Sequence, residues 1–287
     1  MGRKLIIVLG PTAVGKTDYA ISLAKKYGSP VISCDSRQIY KEMTVGTAVP
    51  DAAQLNAVQH YFIHTHSVKD YYTAGRYEAD ALALIGRLFD EGHENLVMTG
   101  GSMFYIDAVC NSLDHIPTAD LEVRARLTQR LNEEGMDSLK EELSRLDPEA
   151  YATMDLSNSQ RVFRAVEICL TTGKPYSSFK RTAPADRGFE IEKIGLARPR
   201  EVLYDRINRR VLKMMDDGLE EEVRSLTEFR SLTALQTVGY SEMFDYFDGR
   251  ITLDQAVELI QRNTRHYAKR QLTWWKRDDS IRWLEDF

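Results

Sequence analysis

The sequence predicts an α/β fold in which a doubly wound parallel sheet carries an all-helical insertion. Short apolar runs alternate with helical segments near both ends of the chain, a pattern typical of parallel sheets. The first apolar run leads into a glycine-rich loop, whereas residues 117–186 show helical periodicity only. At 287 residues, the chain is therefore predicted to be one core domain, residues 1–116 and 187–287, interrupted by a helical insertion at 117–186.

The first element is a buried strand at 4–9, predicted by the β-branched and leucine-rich run KLIIVL. A glycine-rich loop follows, and then a helix at 17–27 that Gly28 closes. The loop consists of Gly10, Pro11, Thr12, Ala13, Val14, Gly15, Lys16 and Thr17. A strand, a G-x-x-x-x-G-K-T loop and a helix in this order predict a phosphate-binding loop, against the alternative of a glycine turn without function.

Two further strands are predicted to bring polar residues to the same edge of the sheet. The strand at 31–34 ends at Asp35, and the strand at 95–99 ends at Gly100-Gly101-Ser102, with a helix at 74–90 between them. Ligands bind at the carboxyl ends of strands in such sheets. Asp35 and Ser102 should therefore lie beside the phosphate loop.

The remaining segments complete the predicted architecture. Leucine and valine residues at three- and four-residue spacing predict helices between 127 and 170, and the segment TAPADRG at 182–188 is typical of a linker. A strand at 191–197 is then expected to return to the sheet. Helices are predicted at 199–216, 218–230 and 253–276, and a last strand at 280–284.

The composition is that of a globular protein and argues against several other classes. The net charge is −5 and hydrophobic residues make up 43%, with no apolar run near the roughly 18 residues that span a membrane. The three cysteines form no C-x-x-C pair, and the N-terminus lacks the apolar run of a signal peptide. A cytoplasmic protein without membrane contact is expected. Basic residues cluster at 198–213 and 262–277, a pattern that permits binding of a polyanion.

The residue types of the phosphate loop indicate its chemistry. Gly10 and Gly15 let backbone N–H groups point at phosphate oxygens, Lys16 adds a positive charge, and the Thr17 hydroxyl can bind Mg²⁺. Nucleotide-binding proteins, including those that bind ATP, commonly use such a loop. Here, however, the strand at 95–99 ends in Gly100-Gly101-Ser102 and not in a Mg²⁺-binding acid, which favours a diphosphate. Asp35 is then a candidate general base, with a Mg²⁺ ligand or a helix cap as equal alternatives.

Six motifs together resemble those of the tRNA dimethylallyltransferases. They are GPTAVGKT, SCDSRQIYKEMTVGTAVP, TGGSMFYIDAV, QRVFRAVEI, VGYSEM and TRHYAKRQLTWW, and they match in order and spacing from about residue 5 to residue 285. The resemblance implies a P-loop kinase-like core with a helical insertion. It also implies transfer of a dimethylallyl group from dimethylallyl diphosphate to the exocyclic amine of the adenosine 3′ to the tRNA anticodon, with release of diphosphate.

The resemblance assigns roles to individual residues near the phosphate loop. Asp35 matches the general base, and Thr17 matches the position that binds diphosphate and Mg²⁺. Arg210 matches an arginine on the leaving diphosphate, and Arg206 lies one turn earlier on the same predicted helix face. Without the resemblance, a solvated helix face would explain both arginines. Ser102 matches a further site position, where the family commonly has threonine.

Positions that match tRNA contacts lie in both predicted domains. A base stacked in an anticodon loop must be splayed out before a buried site can reach it. Glutamine can read base edges, whereas arginine can hold phosphates. At two of these positions, Gln236 and Ser241, arginine is frequent in the family. The implied tRNA-contact residues are Asp35, Ser36, Arg37, Gln38, Ser102, Arg124, Gln160, Arg161, Val162, Phe163, Arg164, Gln236, Thr237, Val238, Gly239, Tyr240 and Ser241.

Two other classes of protein stay open at this point. A small-molecule P-loop kinase would use Arg161 and Arg164 as lid arginines on ATP, and a non-catalytic RNA-binding module would need no base. The second motif favours the transferase over both. His60, His64 and His66 lack an evident fourth ligand, which favours a strand or loop over a metal site. The expected cofactor is Mg²⁺, the expected partners are a tRNA anticodon stem-loop and dimethylallyl diphosphate, and the expected state is a monomer.

Overall fold

The computed structural model describes residues 2–112, 120–179 and 186–287. The chain divides into two compact units: Met1–Cys110 with Asp186–Phe287, here called the core, and Asn111–Ala185, here called the insertion unit. The insertion unit contains most of the segment 117–186 that the sequence assigns to an insertion. The predicted boundary at 117 and positions 182–185 of the predicted linker lie outside the described residues.

The core holds a parallel β-sheet, as the sequence predicts. Its six strands are β1 (Lys4–Leu9), β2 (Val31–Ser33), β3 (His60–Tyr61), β4 (Asn95–Thr99), β5 (Glu190–Leu196) and β6 (Ile281–Leu284). They lie in the order β3-β2-β4-β1-β5-β6, and each neighbouring pair is parallel. Strand β3 lies where the sequence leaves a strand and a loop as alternatives, because its two residues are too few to form a period-two pattern.

The helices of the described residues account for most of the remaining chain. They are α1 (Lys16–Tyr27), α2 (Ala52–Ala57), α3 (Ala74–Asp90), α4 (Met103–Asn111), α5 (Leu121–Glu134), α6 (Met136–Leu146), α7 (Pro148–Thr153), α8 (Ser159–Thr172), α9 (Arg200–Asp216), α10 (Leu219–Ser225), α11 (Tyr240–Phe247) and α12 (Leu253–Trp275). Short 3₁₀ turns lie at Tyr176–Phe179, Thr227–Phe229 and Thr233–Leu235. The helix predicted at 218–230 is thus shorter than expected and ends in a 3₁₀ turn.

Helices cover both faces of the sheet. Strand β1 is accordingly apolar at the positions that pack against them. Leu5 and Ile7 pack with side chains of α3 and α4. Ile6 and Val8 point to the opposite face and pack with α1 and α9. This alternation follows from the period-two geometry of a strand. A third apolar cluster contains side chains from α9, from α12 and from the segment that follows β2.

The insertion unit is helical throughout its described residues and has its own apolar core. Helices α5, α6 and α8 bury side chains that include Leu127, Leu139, Leu143 and Val166. Asp147 is also buried, and its carboxylate accepts hydrogen bonds from the Ala150 N–H and from both the N–H and the hydroxyl of Ser177. Nowhere in the described ranges is a helix long and apolar enough to cross a membrane.

Candidate active site

The phosphate loop between β1 and α1 adopts a backbone conformation that its glycines permit. Gly10 and Gly15 have φ values of +144° and +117°, which favour glycine over other residues. A Cβ atom on Gly10 would lie 2.5 Å from the carbonyl oxygen of Leu196 on β5. Gly15 is also the N-cap of α1 and offers no side chain to cap the helix. The first N–H groups of α1 are therefore left for an anion, which a helix N-terminus attracts.

Lys16 folds back on this loop. Its Nζ donates hydrogen bonds to the carbonyl oxygens of Gly10 and Pro11, both at 2.9 Å. Burial, assisted by the positive charge of Arg210 and opposed by Asp35, lowers the pKa of Lys16 from 10.5 to about 8. No carboxylate of the described chain forms a salt bridge with Lys16. Its ammonium group is therefore available to an anionic ligand.

Lys16 should make both stability and anion binding depend on pH above about 8. The folded chain holds the Lys16 proton less tightly than the unfolded chain, so the unfolded chain carries more protons between about pH 8 and 10.5. The unfolding free energy of the ligand-free protein should therefore gain a contribution from Lys16 as pH rises through this window and lack it below pH 8. A bound diphosphate favours charged Lys16, so diphosphate binding should weaken as this proton is lost.

The measurement compares the wild type with Lys16→Met by calorimetry with inorganic diphosphate. The affinity advantage of the wild type should fall by up to about tenfold per pH unit above pH 8. Above pH 8, the wild type should take up more protons on binding diphosphate than Lys16→Met does. An advantage that stays constant from about pH 7 to about pH 9.5 would contradict this role of the Lys16 proton.

Asp35 follows β2 and fixes the turn that begins there. Its Oδ1 accepts hydrogen bonds from the backbone N–H groups of Arg37, at 2.8 Å, and Gln38, at 3.2 Å. Among the described residues, Oδ2 has no hydrogen-bond partner. Burial lowers the pKa values of both Lys16 and Arg210, and the negative charge of the Asp35 carboxylate opposes this lowering. One oxygen thus caps a turn, whereas the other can take a proton or contact a cation.

Ser102 connects the ends of β2 and β4. Its Oγ accepts a hydrogen bond from the Ser36 N–H at 2.8 Å and donates one to the Ser36 Oγ at 3.0 Å. The two chain segments approach closely here, since a Cβ atom on Gly100 would lie 2.5 Å from the carbonyl carbon of Cys34. The structure thus brings Asp35 and Ser102 together at the carboxyl ends of the strands, as the sequence predicts. Ser102 itself is buried and orients the Asp35 turn.

A residue that the sequence analysis missed, Gln271 on α12, joins the phosphate loop to the segment after β4. Its Oε1 accepts a hydrogen bond from the Thr12 N–H at 2.9 Å, and its Nε2 donates to the Gly101 carbonyl at 2.8 Å. The same carbonyl accepts a hydrogen bond from the Tyr267 hydroxyl at 3.0 Å. Gln271 is fully buried. The oxygen and the nitrogen of its side-chain amide both form hydrogen bonds with the backbone of the site. In the sequence this position lies within the motif TRHYAKRQLTWW, but the motif alone gives the glutamine no role.

Lys16, Asp35 and Gly101 line one cavity of about 720 Å³ in the core, whereas Ser102 and Gln271 lie behind its wall. One part of its wall is the phosphate loop with a basic face of α9. Arg206 and Arg210, one turn apart, both belong to that face, and the Arg206 Nε donates to the Ala13 carbonyl at 2.8 Å. Burial lowers the pKa of Arg210, while Asp35 opposes the shift. Another part of the wall is apolar and consists of Val31, Val45, Ala48, Val49, Pro50, Ile63 and Met214.

The residues that line this cavity offer few ligands for a divalent metal. Thr17 offers a hydroxyl and Asp35 a carboxylate oxygen, and both residues line the cavity. The described residues contain no cluster of three or more histidine, cysteine, aspartate or glutamate side chains able to hold a metal, and His60, His64 and His66 therefore form none. Mg²⁺ is commonly held by one or two protein oxygens, with the remaining ligands supplied by phosphate and water. The donor set fits such an ion together with a diphosphate.

The residues predicted to contact tRNA differ in how far their side chains are exposed. In the core, the Gln38 amide donates to the carbonyl oxygens of Thr47 and Ala48. Tyr240 is fully buried and its hydroxyl donates to Glu222. Tyr240 therefore has no accessible surface for a contact with tRNA in this conformation.

In the insertion unit, Val162 is fully buried in the apolar core of that unit, so it too has no accessible surface for tRNA in this conformation. Arg124 and Arg164 both form salt bridges with Glu167, whose side chain is fully buried. Arg124 also lies over the Phe163 ring, 5.5 Å from its centroid. Arg161 is exposed.

The parallel sheet and the phosphate loop define a P-loop protein. The chain belongs to the IPP transferase family, whose model matches residues 38–278. A tRNA dimethylallyltransferase of Porphyromonas gingivalis is 52% identical, over 98% of this chain and 93% of that protein. Another, from Bacteroides thetaiotaomicron, is 50% identical over 98% of this chain and 91% of that protein.

Solved structures agree with this assignment of the fold. A tRNA isopentenylpyrophosphate transferase from Bacillus halodurans is 36% identical with a TM-score of 0.70, covering 99% of this chain and 90% of that one. A eukaryotic dimethylallyltransferase acting on tRNA is 24% identical with a TM-score of 0.83, covering 99% of this chain and 74% of that one. The latter shows a shared fold alone.

Proposed function

We propose that this protein transfers a dimethylallyl group from dimethylallyl diphosphate to the exocyclic amine of the adenosine 3′ to the anticodon in tRNA. The observation that carries the proposal is the single cavity that joins a phosphate loop, the Asp35 carboxylate and an apolar wall. Its relatives named tRNA dimethylallyltransferases support the same reaction. We further propose that it acts in the cytoplasm as a monomer and uses Mg²⁺.

Different walls of the cavity bind different parts of the substrate. The N–H groups at the start of α1 and the Lys16 ammonium bind the diphosphate, and the apolar wall encloses the dimethylallyl group. As the amine nitrogen forms a bond to the allylic carbon, the bond from that carbon to the diphosphate oxygen breaks. Arg210 and Arg206 stabilise the charge that builds on the departing diphosphate. Mg²⁺, held by Thr17, would neutralise part of the same charge.

We assign the removal of the amine proton to Asp35, one of four aspartates that line the cavity. An adenine amine is a weak nucleophile, and a carboxylate that accepts its proton in the transition state makes the attack easier. Oδ1 is committed to the turn at Arg37 and Gln38, so Oδ2 is the oxygen we assign to the proton. The nitrogen thus loses its proton to Asp35 and gains the carbon, while diphosphate leaves with the electron pair of the broken bond.

We propose that the insertion, residues 117–186, contacts the anticodon stem-loop through arginine side chains of α5 and α8. Replacing Arg161 with alanine should weaken RNA binding and reduce its salt dependence by about one unit of slope, because one phosphate contact is lost. The melting temperature should not change, since Arg161 is exposed. Filter binding across a salt series measures the slope.

Arg164→Ala is the matched comparison one turn along the same helix. It should also weaken RNA binding, but it additionally removes an arginine from the buried Glu167 carboxylate. We expect it to cost about 1–3 kcal/mol of unfolding free energy. If instead the two variants bind RNA normally and lose affinity for diphosphate, these arginines would belong to a kinase-like lid.

The reaction is tested directly with purified protein, Mg²⁺, labelled dimethylallyl diphosphate and an anticodon stem-loop RNA. The label should appear in the RNA. A matched RNA whose target adenosine is replaced by purine riboside, which lacks the amine, should stay unlabelled. Transfer of phosphate from ATP to a hydroxyl compound, with no labelling of RNA, would identify the protein as a small-molecule kinase instead.

A further inference from the structure

Glu222, on α10 outside the phosphate loop, organises the apolar wall of the cavity. Its Oε2 accepts hydrogen bonds from the backbone N–H groups of Thr44, at 2.8 Å, and Val45, at 2.7 Å. Its Oε1 accepts from the Gly46 N–H at 2.9 Å and from the Tyr240 hydroxyl at 2.6 Å. Three consecutive N–H groups of the chain therefore converge on one carboxylate.

This arrangement is specific for a carboxylate. All four hydrogen bonds are accepted by Glu222, two at each oxygen, and within the described chain no lysine, arginine or histidine pairs with it. A glutamine at this position would place an NH₂ group against donors, whichever way its amide is turned. The position thus requires a side chain with two oxygens that both accept hydrogen bonds, as those of a carboxylate do.

The segment that Glu222 holds, residues 44–50, forms much of the apolar wall. Val45, Ala48 and other residues of this segment line the cavity. The segment is fixed on its other side by Gln38, whose amide donates to the carbonyl oxygens of Thr47 and Ala48 at 3.2 and 2.9 Å. Gly46 packs closely against the hydroxyl end of the Tyr240 ring, since a Cβ atom there would lie 2.7 Å from a ring carbon.

We propose that Glu222 is a positioning residue that sets the binding of the prenyl chain, without touching the diphosphate or the reacting atoms. The inference rests on the proposed use of this cavity for a prenyl diphosphate. The phosphate loop and α9 bind the diphosphate independently of residues 44–50. Removing the Glu222 carboxylate should therefore weaken recognition of the apolar chain and leave recognition of the diphosphate intact.

The test compares the affinities of dimethylallyl diphosphate and inorganic diphosphate for three proteins by calorimetry, with a thermal melt of each. The wild type should prefer the prenyl ester. Glu222→Gln should lose about tenfold in affinity for the ester and less than about threefold for inorganic diphosphate. Glu221→Gln, an identical change at the exposed neighbouring residue of α10, should change neither affinity.

A second variant approaches the same segment without altering the carboxylate. Gly46→Ala should displace the segment from the Tyr240 ring and produce the same loss of preference, so it replaces Glu222→Gln if that variant does not fold. If the wild type prefers the ester and a folded variant keeps the full preference, the role of Glu222 is wrong, whatever the melting temperature of that variant. The proposed function would not be affected by this result. A wild type without any preference would overturn both this inference and the proposed function.

Discussion

Replacing Asp35 with asparagine should lower kcat by about 10²–10⁴-fold, the usual range for loss of a general base. The substitution suits the structure because the asparagine Oδ1 can still accept the hydrogen bonds from Arg37 and Gln38. The turn is therefore expected to persist while the proton acceptor is lost. The KM values for tRNA and for dimethylallyl diphosphate should change far less, since the proton is transferred only in the transition state.

Asp51→Asn is a matched control for this substitution. Asp51 lines the same cavity and also caps backbone N–H groups, since its Oδ1 accepts from Gln54 at the start of α2. The loss of a negative charge from the cavity is therefore the same, and kcat should fall by less than about threefold. If Asp35→Asn regained activity at raised Mg²⁺ and its main defect were in diphosphate affinity, Asp35 would be a metal ligand and not the base.

Gln271→Leu should damage both stability and diphosphate binding. Leucine is of similar size but cannot accept the Thr12 N–H or donate to Gly101. The Gly101 carbonyl keeps its hydrogen bond from Tyr267, so the main cost is a buried Thr12 N–H without an acceptor, about 1–3 kcal/mol of unfolding free energy. Because the phosphate loop loses its only described side-chain anchor on α12, affinity for inorganic diphosphate should fall by about tenfold or more.

The same substitution at Gln261 provides the comparison. Gln261 lies on the same helix, and its amide donates to the Asn208 carbonyl at 3.3 Å, away from the phosphate loop. Gln261→Leu should leave diphosphate affinity unchanged. A melting temperature lowered in both variants, with diphosphate affinity also equal in both, would show that Gln271 only stabilises the fold.

The sheet could be predicted well because strands buried on both faces consist of continuous apolar residues. Strands β1, β2 and β4 follow this pattern, and each begins at its predicted residue. Strand β5 has charged residues in its first half, and it begins one residue before its predicted start. The short helices α2, α4 and α11 were missed, because six to nine residues give little periodicity. Such helices are fixed by tertiary contacts and by caps, as at Asp51, where a capping box starts α2.

The site was predictable where a residue acts through local spacing and not where it acts across the fold. The phosphate loop has a fixed motif, and the ends of β2 and β4 place Asp35 and Ser102 at one edge of the sheet. Gln271 and Glu222 have no such signal, since each resembles an ordinary polar residue on an amphipathic helix. Their partners lie far away in sequence, at Thr12 and at residues 44–46, so only the folded chain reveals them.

The position of β1 in the middle of the sheet has a consequence for how the chain folds during synthesis. Lys4 is paired with Asn95 on one side and with Glu190 on the other, so the sheet cannot close around β1 before the ribosome has made the whole insertion. Contacts between such distant segments form slowly, whereas helices that contact near neighbours form fast. We therefore expect the helices of the insertion to form first. Until β5 arrives, one edge of β1 stays unpaired, and chaperones would find their binding surface there.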